Sequence, residues 1–285
     1  MQKRRLGQTG YMASVVSFGA AALWDSTEQT ARKAVENAMA HGINYVDVAP
    51  SYGRAEGLLG PLVPSFRDEV FLACKTLKRE KTGAQDELRA SLRKLQTDHF
   101  DLYQVHGINT SEDVDKTLGK GGAIEAFLEA KDEGTIKHIG VTGHSLTALT
   151  EALRRFDFDT VMFPLNFVMG AHPCAETDTT AILGLAKEKD VGVLAIKAVA
   201  RRRWETDERK YRTWYEPLDG QGDVDLALWY TLSHPVTTAV LPSDLCLWPK
   251  VIDAAERLRA PTEEELSYLK HKARELKPLF PTVIG

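Results

Sequence analysis

Between about residue 15 and residue 258, short apolar runs alternate with segments of helical period, and this alternation constrains the chain more than any other feature. A strand followed by a helix, repeated, is the pattern of βα units around a parallel sheet. Strands are expected at 15–20, 43–48, 70–75, 100–106, 136–142, 160–164, 192–196 and 238–241. They are apolar throughout rather than alternating, as strands covered on both faces must be. The first helix should open on a capping box of Ser26 with Gln29, turn Ala31, Val35, Ala38 and Met39 inward, and end at Gly42. Further helices are expected at 83–95, on a face carrying Ile124, Phe127 and Leu128 up to Gly134, from Ser145, up to Lys189, at 224–232 and at 250–258. A long polar loop precedes the helix at 224. Thr262 with Glu265 is a second capping box and opens an extra C-terminal helix to about residue 276.

Eight such units close a (β/α)8 TIM barrel, which needs roughly 250 residues, so the 285 residues read as one domain, 1–285. Residues 3–10, with Gly7 and Gly10, are expected to form a short N-terminal hairpin under the barrel.

Bulk properties exclude several function classes. A net charge of −4 gives no electrostatic footprint for nucleic acid or an anionic membrane. Cys74, Cys174 and Cys246 are too few and too scattered for a disulfide framework or a zinc site, and no metal is expected. No apolar run reaches the ~20 residues of a membrane span. The N-terminus lacks the apolar core of a secretory signal, so a cytoplasmic location is expected.

In such a barrel the reacting groups lie at the C-terminal ends of the strands. The second strand ends in Asp47, with Tyr52 shortly after, the third ends in Lys75 and the fourth in His106. Each alone reads more simply as a cap, a solvated end or a structural residue. Together, on three consecutive strands, they form a constellation. A phenol with a pKa near 10 is a poor acid at neutral pH. An ammonium about 4 Å away supplies roughly 4 kcal/mol at an effective dielectric of 20, or about three pKa units before desolvation is subtracted. Asp47 would hold Lys75, His106 would orient a carbonyl, and Tyr52 would give it a proton.

The run Asn44-Tyr45-Val46-Asp47-Val48-Ala49-Pro50-Ser51-Tyr52-Gly53, with Glu56 and Leu59-Gly60 beyond it, resembles the signature of the aldo-keto reductase superfamily. Lys75 and Leu102-Tyr103-Gln104-Val105-His106 resemble the next two motifs in order, and Arg5-Leu6-Gly7 with Thr9-Gly10 resembles the start of many members. The resemblance implies Tyr52 as general acid, Lys75 as the group that lowers its pKa, Asp47 as the partner of Lys75, and His106 as the residue orienting substrate. It also implies an NAD(P)H-dependent oxidoreductase that interconverts small-molecule carbonyls and alcohols.

For the cofactor, the resemblance points to Thr142 and His144 after the fifth strand, Asn166 after the sixth, Ile196 and Lys197 at the seventh, Arg201 in the following loop, and Pro242, Ser243 and Asp244 after the eighth. The family's Gly-Val-Ser-Asn is here Gly140-Val141-Thr142-Gly143, its glutamine is missing from the sixth strand, and Ile196 stands where a stacking aromatic or methionine is usual. NADP(H) is expected ahead of NAD(H), with Asp244 keeping NAD(H) an option. Trp24, Phe167, Trp204 and Trp214 are candidates to line the substrate site. The altered carboxamide motif keeps open an epimerase, dehydratase or lyase with tightly bound nicotinamide. A non-catalytic nicotinamide-binding regulatory protein, and a Schiff-base aldolase using Lys75, are further alternatives. Oligomeric state is not readable from the sequence.

Overall fold

Strands that are apolar on both faces leave a sheet no side for water, and here the sheet closes on itself. In the computed structural model, which describes residues 1–280, the chain begins with an antiparallel hairpin, β1 (Lys3–Arg5) against β2 (Met12–Ser14). Seven barrel strands follow: β3 (Val16–Gly19), β4 (Tyr45–Asp47), β5 (Phe71–Thr76), β6 (Phe100–Val105), β7 (Ile136–Thr142), β8 (Thr160–Pro164) and β9 (Gly192–Ile196). A second antiparallel hairpin, β10 (Ala200–Arg203) with β11 (Tyr215–Pro217), stands apart from the barrel. β12 (Thr238–Val240) then pairs in parallel with both β9 and β3, completing a closed eight-stranded barrel.

The helices are α1 (Glu28–Ala40), α2 (Ala55–Leu59), α3 (Lys81–Leu95), α4 (Ser111–Leu118), α5 (Ala123–Asp132), α6 (Leu146–Arg155), α7 (Phe167–Ala171), α8 (Thr180–Glu188), α9 (Gln221–Ser233), α10 (Trp248–Glu256) and α11 (Glu263–Arg274). The expected (β/α)8 barrel, its N-terminal hairpin and its extra C-terminal helix are all present. The barrel interior is filled by Leu6, Ala13, Tyr45, Phe71, Ala73, Leu102, Met162 and Leu194, so it is a packed core and not a pore.

Local details differ where side-chain competition decides them. α1 is capped by Thr27, whose hydroxyl accepts from the amide of Thr30, while the Ser26 hydroxyl turns back to the Ala22 carbonyl. The helix therefore starts one residue later than a Ser26 cap implies. Ala31, Val35 and Ala38 are buried as expected, but Met39 is only half-buried. Leu128 is 44% exposed, because α5 packs through Ala123, Ala126, Phe127 and Ala130 instead. Thr262 and Glu265 do form the reciprocal capping box of α11.

The polar loop after β9 holds the β10–β11 hairpin. Its strands are tied by Arg201 and Arg202, which bond Glu216 on the facing strand at 2.7 and 2.6 Å. α4, with its own capping box of Thr110 and Asp113, is a helix that the apolar pattern does not reveal.

The hairpin under the barrel is fixed at Gly7, whose φ is +50°. A Cβ there would lie 2.2 Å from the backbone nitrogen of Gly192 at the start of β9. Gly7→Ala should therefore cost about 2 kcal/mol or more from left-handed strain and backbone displacement, lowering the thermal midpoint by about 5 °C. An unchanged midpoint in a circular-dichroism melt would show that the hairpin is free to shift away from β9.

Candidate active site

β4, β5 and β6 lie side by side, with Asp47 opposite Ala73 and Lys75 opposite Gln104. Residues two apart on a strand share a face, so Ala73 and Lys75 point the same way. This register brings Asp47, Lys75 and Gln104 together at the C-terminal end of the barrel. Lys75 is fully buried. Its Nζ donates to Oδ2 of Asp47 in a short contact and to the Tyr52 hydroxyl at 3.0 Å. Gln104 donates from Nε2 to the other Asp47 oxygen at 3.2 Å. Burial alone would lower the pKa of Lys75, but Asp47 and Tyr52 outweigh it and raise it, so the amine stays charged.

Tyr52 reaches the pair from the loop after β4, where its amide donates to the Ala49 carbonyl. Gly53 follows at φ +56°, and a Cβ there would sit 2.4 Å from the Trp24 carbonyl oxygen. Only glycine fits this approach, and the Arg54 amide then donates to the same Trp24 carbonyl at 2.8 Å. The loop carrying Trp24 is thus fastened beside Tyr52.

His106 leaves the end of β6 with its amide donating to the Thr76 carbonyl. Its ring meets the Tyr52 ring edge-on at 5.8 Å and 87°. Burial, and then the charge of Lys75, press the His106 pKa down to about 3, so the imidazole is neutral at neutral pH. The Tyr52 pKa is raised, contrary to the acidification expected from Lys75 alone. Burial is the largest cause, and the Asp47 charge works against that of Lys75. From Tyr52, the ammonium and carboxylate form a nearly neutral pair.

Asp47, Tyr52 and His106 border a cleft of about 610 Å³. Thr142, His144, Ile196, Lys197, Pro242 and Ser243, all expected from the sequence as cofactor contacts, line it together with Met162, and Trp24, Asp25, Arg212 and Trp214 line its mouth. Lys197 is 9% exposed, and its Nζ lies 3.1 Å from Nε2 of His144. Burial lowers the Lys197 pKa to about 7. Burial, and then Lys197, lower that of His144 to about 3.

Other expected cofactor residues are placed elsewhere or engaged in structure. Asn166 is buried and caps α7, accepting from the Met169 amide and donating to the Lys197 carbonyl. Arg201 is paired with Glu216, outside the cleft. Asp244 is buried and accepts from the amides of Cys246 and Arg212, both at 2.8 Å. Lys250, a cation farther along the same segment, donates to the Asp219 carbonyl. Of the candidate lining aromatics, Trp24 and Trp214 border the cleft, Phe167 is in the core and Trp204 bonds the Thr213 carbonyl outside it.

Sequence reasoning missed Asp25 and Arg212, which pair across the mouth although 187 positions apart. No local pattern reports such a contact. Met162 was a missed signal of another kind, since it stands on β8 where the cleft floor needs a side chain.

The described residues contain no cluster of His, Cys, Asp or Glu able to hold a metal, and no helix long and apolar enough to cross a membrane. A family model described as "Aldo/keto reductase family" matches residues 15–259. An uncharacterized oxidoreductase of Bacillus subtilis, YqkF, is 30% identical over 180 residues, covering 58% of this chain and 56% of that one. L-galactose dehydrogenase of Arabidopsis thaliana is 30% identical over 216 residues, covering 70% and 66%. These matches take in less than two thirds of either relative. The solved holo form of an aldo-keto reductase from Bacillus halodurans superimposes with a TM-score of 0.77 at 26% identity, covering 99% of each chain. With the barrel, the strand-end constellation and a match over most of its length, the chain belongs to the aldo/keto reductase family.

Proposed function

We propose that this chain reduces aldehyde or ketone carbonyls to alcohols, and runs the reverse reaction, with NADP(H). The observation that carries this reading is the Lys75 ammonium bonded to both Asp47 and Tyr52, beside a neutral His106 at the edge of the cleft. Ile196 and Met162 would offer the nicotinamide an apolar surface in the cleft, and Thr142 a polar one. Lys197, a buried amine with no carboxylate against it among the described residues, suits a phosphate. The cofactor would supply hydride at the carbonyl carbon.

The chain's own residues do the rest. Neutral His106 donates a hydrogen bond to the carbonyl oxygen and fixes its direction. Tyr52 transfers its proton to that oxygen as negative charge grows there. An alkoxide is a far stronger base than a phenolate, so a Tyr52 with a raised pKa still delivers its proton downhill. Lys75 stabilises the phenolate left behind, and Asp47 keeps Lys75 in place.

Tyr52→Phe should lower carbonyl reduction by about 10²- to 10⁴-fold while NADPH still binds. Residual turnover within a few-fold of wild type, in an absorbance assay with an aldehyde panel, would remove Tyr52 from the proton-donor role.

The pH profile follows from the directions of the shifts. Tyr52 must be protonated to act, and its pKa lies above the ordinary phenol value, so with nucleotide saturating, kcat/KM for the aldehyde falls only at strongly alkaline pH. His106, at about 3, contributes no break between pH 5 and 8. A break near 6.5 that disappears in His106→Gln would show that the imidazole titrates in the working range.

After β12, Ser243 faces the cleft while Asp244 and Lys250 are turned to internal partners. Neither strongly favours nor strongly repels a 2′-phosphate, so NADPH should bind no more than about tenfold tighter than NADH, about 1.4 kcal/mol. Fluorescence titration with both nucleotides reads this directly, and a hundredfold preference either way would mean that a further residue reads the ribose.

A further inference from the structure

Two buried lysines belong to this end of the barrel, in opposite surroundings. Lys75 has Asp47 and stays charged. Lys197 has no carboxylate within ion-pair reach among the described residues, and His144 is its hydrogen-bond partner. The ring centroids of Trp214 and Phe280 lie 5.4 and 5.6 Å from its Nζ, and His144 stacks on Phe280 at 4.9 Å. The other titratable groups on the cleft are Asp47, Tyr52 and His106 on the barrel side, and Asp25, Arg212 and Tyr215 toward the mouth. The carboxylates among these are committed, Asp47 to Lys75 and Asp25 to Arg212.

The backbone holds Lys197 in an unusual conformation, φ +64°, which residues other than glycine seldom adopt. Asn166 Nδ2 and the Ala200 amide donate to its carbonyl at 3.3 and 3.0 Å and secure the turn. Strain of this kind persists where the surroundings over-determine it, and here it directs an amine to the cleft wall. With its pKa near 7, a large share of that amine carries a free lone pair at neutral pH. A neutral lysine in a desolvated pocket is a nucleophile toward carbonyl carbon.

We propose that Lys197 is a second carbonyl-reactive group of this cleft, an amine that reversibly captures small aldehydes as a Schiff base when the cleft holds no nucleotide. The Nζ lone pair forms the new N–C bond as the π pair of the carbonyl moves onto oxygen, which takes up a proton. The C–O bond then breaks, that oxygen leaves as water carrying both amine protons, and the nitrogen pair completes C=N. One amine and one aldehyde give one imine and one water, with no change of oxidation state. The adduct fills space beside Tyr52 and His106, so an aldehyde acts both on the reductase site and as its reversible blocker. This goes beyond the reductase reading and needs no hydride chemistry.

The test incubates the full chain, with no nicotinamide added, with butyraldehyde and sodium cyanoborohydride, and maps the butylated lysines by peptide mass. At pH 7.4 an ordinary lysine with a pKa near 10.4 is neutral in only about one part in a thousand. Lys197 should therefore be labelled at least tenfold faster than any other lysine, at a rate half-maximal near pH 7. Lys197→Arg, which keeps a cation but offers no such amine, should lose this fast label. Similar labelling of many exposed lysines would overturn the proposal, as would labelling of Lys197 only near pH 10 or a fast label surviving in Lys197→Arg. Because no nucleotide takes part, a failure here leaves the reductase reading untouched, and a failed reductase assay leaves this one untouched.

Discussion

The Lys75 ammonium is wholly enclosed by protein, and the C-terminal end of the barrel is organised around its charge. Taking such a group out of water costs several kcal/mol, and losing the partner of a buried pair typically costs about 3–5 kcal/mol. The compensation comes from three neighbouring strands: Asp47 on β4, Lys75 on β5 and Gln104 on β6. A slip of one residue in any of these strands would turn its side chain to the opposite face. The geometry of this constellation is therefore a consequence of barrel register. Tyr52, from a loop, is placed by the same charge through its bond to Lys75 and by the glycine that follows it.

That dependence explains what was legible in the sequence. The barrel strands are buried on both faces, so each announces itself as an apolar run, and its end locates a residue in space without further information. Asp47, Lys75 and His106 were found in this way, Tyr52 by its place just beyond the second strand, and the likeness to the family's motif pointed to the same four residues. Elements stabilised by charge instead of apolar burial were silent. The β10–β11 hairpin is fastened by arginines to Glu216, and α4 is mostly polar with few buried positions. Ser26 and Thr27 are both good caps, and only the carbonyl of Ala22, competing for Ser26, decides between them.

The residues expected to meet a cofactor were less legible for a different physical reason. A polar side chain near a cleft serves a ligand only if no protein group has claimed it, and such claims come from distant segments. Asp244 is taken by the amides of Cys246 and Arg212, Lys250 by the Asp219 carbonyl, and Asn166 by the turn that carries Lys197. None of these contacts has a signature in local sequence. Proximity to a strand end identifies candidates, but hydrogen-bond accounting decides which of them remain available.

The two lysines show how far residue identity falls short of chemistry. Both are buried and both lie at strand ends next to the cleft, yet one has a carboxylate and the other has aromatic rings and a neutral imidazole. The carboxylate keeps Lys75 cationic, which excludes it as the Schiff-base amine and suits it to stabilising a phenolate. Withholding a carboxylate from Lys197 leaves a charge that is unstable unless an anion arrives. A phosphate would restore the cation, and an aldehyde would instead consume the neutral amine. On the proposed readings nucleotide occupancy would set which of the two meets Lys197, so that cofactor binding and aldehyde reactivity would compete for one side chain.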